Sequence, residues 1–144
     1  MTPPIDRQHP DDRRVAQAIR EAERHTSGEI RVSVSANPQA DPQVEAEREF
    51  HRLEMRRTPL RNAVLLHVSG PPHRLTVIAD EGIRLRCGMT FPAILSRAAE
   101  PMLRESRRTE AVLAAIEAAG RELAKFFPKH DLDRNDLPNT VIRG

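Results

Sequence analysis

The apolar residues of the first third of the chain change spacing twice, which predicts a helix, a strand and a second helix. A helix from about Pro10 is predicted by apolar residues at i, i+3, i+4 and i+7, namely Val15, Ala18, Ile19 and Ala22. A strand over about 29–36 follows, because apolar and polar residues alternate there. Asp41 and Pro42 then form a cap and a first helical turn. The second helix has an apolar stripe made of Ala46, Phe50 and Leu53.

The stretch 61–82 predicts a pair of strands around which the rest of the chain is organised. Ala63–Leu66 is an unbroken apolar run, which is typical of a strand covered on both faces. Glycine and two prolines at 70–72 interrupt it and favour a turn. Apolar Leu75, Val77 and Ala79 then alternate with Thr76, Ile78 and Asp80. The short gap predicts that these two strands are antiparallel, whereas the helix after the first strand predicts that 30–34 and 63–68 are parallel.

Two further helices are predicted in the last third of the chain, after a connection over 83–88. One carries an apolar stripe beginning at Phe91, and Pro101 inside it should kink or end the helix. The other is capped by Thr109, points Phe127 inward and closes at Pro128. The remaining residues of its stripe are Val112, Ile116, Ala119 and Leu123.

The element order α-β-α-β-β-α-α indicates an α/β fold class. A three-layer α/β/α sandwich around a small mixed β-sheet buries all the apolar stripes at once. We expect a flexible N-terminal arm over 1–10, one domain over 11–128, and a tail over 129–144 that packs on the domain or trails it. The tail offers apolar Leu132, Leu137, Val141 and Ile142.

Composition narrows the classes of function. The 144 residues contain no Trp or Tyr, which disfavours a stacking surface for single-stranded nucleic acid, and the net charge is only +2. Cys87 is the single cysteine, which excludes an internal disulfide and favours a reducing compartment. No apolar run approaches membrane-spanning length. We therefore expect a cytoplasmic monomer, or a soluble domain of a longer membrane protein, with no specific nucleic acid partner.

Seven short motifs occur in order along the chain, namely SGEIRV at 27–32, EREFHRLEM at 47–55, RNAVLLHV at 61–68, VIADEGI at 77–83, GMTF at 88–91, LAKFFP at 123–128 and NDLPNTV at 135–141. Taken together, they resemble the TPM domain family, whose members include a thylakoid-lumen protein of photosystem II repair and many bacterial proteins. The resemblance covers about 11–141 and implies an α/β/α sandwich. It also implies either phosphatase activity with calcium binding, or a role as a maintenance, assembly or chaperone-like factor.

The chain departs from the family pattern at three positions. Arg61 stands where many relatives have Asp, so a carboxylate that could hold a cation is replaced by a permanent cation. Ala79 stands in place of a common glycine, and Pro92 in place of a common Trp. The resemblance therefore implies that calcium or magnesium, if bound, is bound weakly, and that no cofactor is required.

Asp80 is the candidate catalytic residue because it ends a strand beside a glycine, where α/β sheets tend to place ligands. Asp80, Glu81, Glu29 and Asn62 supply hard oxygen atoms and form the candidate metal site. The alternative is that Asp80 only caps the turn that follows it. Arg61 and Arg57 are candidate anion-binding residues.

Two other features have a functional and a structural interpretation. His67 could act as a base or a ligand, but a histidine in an apolar strand is more often a core residue with one ring nitrogen bonded. The arginines at 48, 52, 56, 57 and 61 could meet an anionic partner. Pairing of Glu45 with Arg48 and of Glu49 with Arg52 would instead make them a solvated face.

The sequence contains no complete catalytic constellation. We therefore expect a maintenance, assembly or chaperone-like (holdase) factor whose partners are proteins or unfolding clients. The alternative is a phosphatase, calcium- or magnesium-dependent, centred on Asp80.

Overall fold

The structure, a computed structural model, describes residues 10–35, 37 and 39–129. Five α-helices, three strands and one 3-10 helix lie in this part of the chain. Their order along the chain is α1 Pro10–Glu23, β1 Glu29–Val34, α2 Pro42–Arg52, the 3-10 helix Met55–Arg57, β2 Ala63–Ser69, β3 Arg74–Ala79, α3 Glu81–Cys87, α4 Phe91–Arg104 and α5 Arg108–Phe126.

The three strands form one mixed sheet in the order β1-β2-β3, which confirms the predicted pairing. β1 and β2 are parallel, with Ile30 opposite Val64 and Ser33 opposite His67. β2 and β3 are antiparallel, with Val64 opposite Ala79. The sheet therefore has β2 in its centre, which explains the unbroken apolar run of that strand, and β3 at an edge.

Helices cover both faces of the sheet. On one face, Phe50 of α2 and Met55 of the 3-10 helix pack against Ala63 and Leu65 of β2. On the other face, α1, α3, α4 and α5 pack against a larger core. That core includes Val64, Leu66, Ala79, Ile83, Phe91, Leu95, Ile116, Leu123 and Phe127. The predicted α/β fold class, a three-layer α/β/α sandwich around a small mixed sheet, is confirmed.

Local sequence signals explain how α2 begins. Asp41 caps the helix, because its carboxylate accepts hydrogen bonds from the backbone N–H groups of Gln43 and Val44. Pro42 occupies the first turn, where its missing N–H costs nothing. The predicted start of this helix is therefore confirmed.

Two predictions about the last third of the chain were wrong, and of the two outcomes expected at Pro101, a kink or an end of the helix, the end does not occur. Residues 83–88 were expected to be a connection, but they belong mostly to α3, which is capped by Asp80. Pro101 does not end α4, which continues to Arg104. The cap of α5 is Arg107 rather than Thr109, which lies inside the helix, and no side chain caps this end.

The predicted N-terminal arm and the apolar residues of the C-terminal tail lie outside the described residues. None of the described helices combines the length and the apolar character that a bilayer crossing requires.

Candidate functional site

Asp80 lies at the carboxyl end of β3, directly before α3. Because β3 is antiparallel to β2, the end of the sheet at which Asp80 lies is also the end at which β1 and β2 begin. Ligands of open α/β sheets usually bind outside the carboxyl ends of the parallel strands. The strand-end reasoning that selected Asp80 therefore does not apply here, because Asp80 lies at the opposite end of the parallel pair.

Arg61 holds the carboxylate of Asp80 at two points. Arg61 Nε donates to Asp80 Oδ2 at 2.7 Å, and Arg61 Nη2 donates to Asp80 Oδ1 at 2.8 Å. The backbone N–H of Glu81 donates to the same Oδ1 at 2.8 Å. Asp80 is only 4% exposed, whereas the Arg61 side chain is 39% exposed. The pair is thus a buried carboxylate covered by a guanidinium that still reaches water.

Burial raises the pKa of Asp80, but the hydrogen bonds from Arg61 and from the Glu81 N–H outweigh it, so the pKa lies below its ordinary value. The hydrogen bond to Asp80 correspondingly raises the pKa of Arg61. Asp80 is therefore ionised at neutral pH, and both of its oxygens are engaged. A carboxylate in this state stabilises a turn and a helix start, and it must leave Arg61 before it can attack phosphorus or bind a cation.

The backbone around Asp80 fits tightly against the start of α3. Arg61 has a φ of 53°, in the left-handed region, and its carbonyl accepts from the N–H of Gly82 at 2.8 Å. A Cβ on Gly82 would lie 2.1 Å from the carbonyl oxygen of Leu60, so only glycine fits here. Arg84 of α3 donates to the carbonyl of Ala79 at 2.9 Å. These contacts fix α3 against the segment that precedes β2.

The other predicted metal ligands lie at the same end of the sheet as Asp80, but their side chains have different partners. Glu29 accepts from Arg31 Nη2 at 2.6 Å, and the side-chain amide of Asn62 donates to Ser27 Oγ at 3.1 Å. Glu81 follows Asp80 and is exposed. Within residues 10–35, 37 and 39–129, no group of three or more His, Cys, Asp or Glu side chains is placed to hold a metal ion.

The arginines near the second helix are largely paired with acids. Arg52 pairs with Glu49 at 2.8 Å, as predicted for a solvated face, and Arg57 pairs with Glu54 at 2.7 Å. Glu45, however, bonds to His67 rather than to Arg48. Of the two candidate anion-binding residues, Arg61 is held by Asp80 and Arg57 by Glu54, so neither cation is displayed without a counter-charge.

The sequence interpretation missed a polar chain beneath α2. His67 is fully buried, and its Nδ1 lies 2.6 Å from Ser33 Oγ while its Nε2 lies 2.9 Å from Glu45 Oε1. Both ring nitrogens are therefore bonded, rather than one. The predicted pairing of β1 with β2 could have indicated Ser33, because it places Ser33 opposite His67. The contact with Glu45 could not be predicted, because it depends on how α2 packs on the sheet.

This Ser–His–Glu chain has the residue types of a hydrolase triad, but it lacks access for a substrate. Ser33 is 5% exposed and lies between the sheet and α2. Burial raises the pKa of Glu45, but hydrogen bonds from Ser35 and His67 outweigh it, so the pKa lies below its ordinary value. The hydrogen bonds from Ser33 to His67 and from His67 to Glu45 therefore join α2 to the sheet, and they give the buried polar groups their partners.

Comparison with known proteins finds a related solved structure. No family model matches the sequence, and no curated protein matches it. The NMR structure of the BA42 protein from the psychrophilic bacterium Bizionia argentinensis matches with a TM-score of 0.79 and 31% sequence identity. The match covers 94% of this chain and 92% of that chain. This chain therefore belongs to the same family as the BA42 protein.

Proposed function

We propose that this protein is a maintenance, assembly or chaperone-like (holdase) factor that binds other proteins through its surface. The observation that carries the proposal is the exposure of two large apolar side chains, Leu85 of α3 at 77% and Met89, two residues after α3, at 79%. Leu60, whose backbone contacts Gly82, is also exposed. We call Leu60, Leu85 and Met89 the α3 surface. Exposed apolar area of this kind suits the capture of unfolded segments.

The contacts of Asp80 support a binding role more than a catalytic one. Both carboxylate oxygens accept hydrogen bonds, and the same contacts hold α3 in place. Arg61 and Asp80 thus serve to present the α3 surface. The resemblance to TPM domain proteins is compatible with this role. A phosphatase centred on Asp80 would need the carboxylate to exchange Arg61 for substrate or metal.

The proposal is tested by the light scattering of reduced insulin, whose B chain aggregates. We expect the wild-type protein to delay aggregation and the double variant Leu85→Ser, Met89→Ser to lose most of this effect. The matched control is Val44→Ser with Leu53→Ser, which removes two exposed apolar side chains outside the α3 surface. The proposal fails if the wild-type protein gives no delay, or if both double variants lose it equally.

The enzymatic alternative is tested in parallel with p-nitrophenyl phosphate, with and without calcium or magnesium. We expect no turnover above that of Asp80→Asn. Strong turnover that disappears in Asp80→Asn, without any effect on insulin, would replace the binding role with a phosphatase.

The proposed setting is the cytoplasm, with the protein acting as a monomer. The single cysteine, which needs no oxidising compartment, supports this setting. Fractionation of the source cells and sedimentation of the purified protein test these two points.

A further inference from the structure

A groove of about 820 Å³ lies at the start of β3, at the opposite end of this strand from Asp80. Its walls come from the first residues of α2, from the β2–β3 turn with the first residues of β3, and from α4. The lining residues that matter here are Asp41, Arg74, Leu75, Arg97, Glu100 and Arg104. Helices α2 and α4 cover opposite faces of the sheet. β3 is one of the two edge strands, and no described strand pairs with its outer side. A groove lined by both helix layers therefore lies at this edge of β3.

The backbone of β3 has hydrogen-bonding groups at this edge that no described residue pairs. Asp80 N–H donates to the carbonyl of Ala63 at 3.0 Å, which sets the alternation of the antiparallel ladder. Thr76 and Ile78 then point their N–H and C=O groups toward β2, and Leu75 and Val77 point theirs away. The carbonyl of Ala79 follows the same alternation, because it accepts from Arg84 and not from β2. Among the described residues, none forms a hydrogen bond with the outward groups of Leu75 or Val77.

Within residues 10–35, 37 and 39–129, this edge lacks the usual protection against strand addition. Natural edge strands are commonly blunted by proline, lysine or an inward-pointing charge. The six residues of β3, RLTVIA, contain no proline or lysine, and their only charge is at the first residue. Extended peptides bind open edges of this type by adding a strand.

The charges of the groove indicate which peptide fits. Arg74 and Arg97 have no ion-pair partner within the part of the chain that the structure describes, whereas Arg104 pairs with Glu100 at 3.3 Å. The carboxylate of Asp41 is engaged by the N–H groups at the start of α2. The groove therefore carries an excess of positive charge, which an acidic partner neutralises. A second copy of the chain would instead oppose one set of arginines to another.

We propose that the free edge of β3 binds an extended acidic segment of a partner protein as an added β-strand. The N–H and C=O groups of Leu75 and Val77 supply the backbone hydrogen bonds, and Arg74 and Arg97 face the carboxylates of the segment. This site is separate from the α3 surface, so its failure would leave the proposed function untouched.

The test uses a short peptide of alternating glutamate and valine as the probe, with amide hydrogen exchange of the full chain as the readout. We expect the amides of Leu75 and Val77 to gain protection on binding. The amides of Thr76 and Ile78, already bonded to β2, should change little and serve as an internal control. The same peptide with alternate backbone nitrogens methylated should not bind, because it cannot complete the ladder.

The charge requirement is tested with Arg97→Glu and with Arg48→Glu as the matched control, since Arg48 is exposed on α2 outside the groove. We expect Arg97→Glu to weaken binding of the acidic peptide by roughly three- to tenfold, while Arg48→Glu changes it little. A peptide of alternating lysine and valine should bind more weakly than the acidic one to the wild-type protein.

Four results would overturn the proposal. These are the absence of binding, equal binding of the lysine peptide, protection spread evenly over β3, and protection of Leu75 and Val77 before any peptide is added. The last result, if it depends on protein concentration, would identify the edge as a contact between two copies.

Discussion

Arg61 and Asp80 form a two-point ion pair that closes the central hairpin, with N–O distances of 2.7 and 2.8 Å. Arg61 comes shortly before β2, and Asp80 directly follows β3. The carboxylate of Asp80 also accepts from the N–H of Glu81 at the start of α3. One buried side chain therefore joins the hairpin to the helix that follows it.

Replacement of Asp80 by alanine should lower the free energy of unfolding by about 1–3 kcal/mol, because the helix loses its cap and a buried hydrogen-bond acceptor. Urea denaturation followed by circular dichroism measures the change. Glu81→Gln is the matched control, since this exposed side chain lies beside Asp80, and it should leave stability nearly unchanged. In the Asp80→Ala background, the further change Arg61→Ala should have little additional effect, because its partner is already gone. Equal effects of Asp80→Ala and Glu81→Gln would contradict the role of the pair.

The stability contributed by Asp80 should depend on pH in the acidic range. Its pKa in the folded protein is lower than the ordinary 3.8, so the unfolded chain takes up a proton first as the pH falls. The contribution is complete above the ordinary pKa and is lost as the pH falls through the folded pKa. We therefore expect the difference in unfolding free energy between wild type and Asp80→Asn to shrink in that window.

Glu23 provides a contrast of opposite sign. Burial raises its pKa above the ordinary 4.5, although its Oε2 accepts from the N–H of Ile30 at 2.7 Å. Its contribution to stability is therefore complete below the unfolded pKa and falls as the pH rises through the folded pKa. As the pH is lowered, the stability of the wild type should fall toward that of Asp80→Asn, whereas it should rise relative to that of Glu23→Gln. Parallel curves would show that one of the two shifts has been assigned the wrong sign.

Gly82→Ala should destabilise the protein by about 2 kcal/mol or more, because the new Cβ meets the carbonyl oxygens of Leu60 and Arg61 at 2.1 and 2.6 Å. These are backbone atoms, so neither can rotate away. Gly88→Ala is the matched control, since nothing lies within 4 Å of its Cβ and only its φ of 88° opposes the change. We expect a cost of about 1–2 kcal/mol for Gly88→Ala from the left-handed backbone. The midpoint temperature of thermal unfolding should be lower for Gly82→Ala than for Gly88→Ala. The reverse order would show that α3 does not pack tightly against the segment before β2.

The sheet could be predicted from the sequence because its signals are local. The period of two in β3 and the apolar run of β2 follow from how many faces of each strand are buried. The lengths of the connections then decide which strands are parallel. Helix α3 was missed because it is short and buries only Ile83 fully, which is too little to produce a helical period.

The candidate site could be located in the sequence but not interpreted. Asp80 was identified from its place after a strand, but whether its carboxylate is free depends on Arg61, which is 19 residues earlier. The direction of an arginine side chain has no signature in the sequence. The partners of His67 are likewise supplied by two other elements: the pairing of β1 with β2 indicates Ser33, but Glu45 depends on how α2 packs on the sheet.

The Ser33–His67–Glu45 chain should behave as a structural link. Ser33→Ala should lower the free energy of unfolding by about 1–2 kcal/mol, because one nitrogen of a buried imidazole loses its partner. A fluorophosphonate reagent, which labels activated serines, should not react with Ser33 in the folded protein. Denaturation measurements and mass spectrometry of the labelled protein test the two parts. Rapid labelling at Ser33 would reveal access to the chain that the buried geometry does not provide.

Arg61→Asp should strengthen the binding of calcium, which we expect to be weak in the wild-type protein. The substitution removes the cation that occupies both oxygens of Asp80 and places a second carboxylate beside them. Calcium prefers several oxygen ligands, and Glu81 and nearby backbone carbonyls supply others. Aspartate also tolerates the left-handed backbone of position 61 better than most residues.

A calcium titration of Arg61→Asp, followed by amide chemical shifts, should give the largest changes at residues 80–82. Asp80→Asn should weaken whatever binding the wild-type protein has, and Arg61→Ala separates the removal of the cation from the addition of a ligand. Tight calcium binding that survives Asp80→Asn would place the metal elsewhere in the molecule.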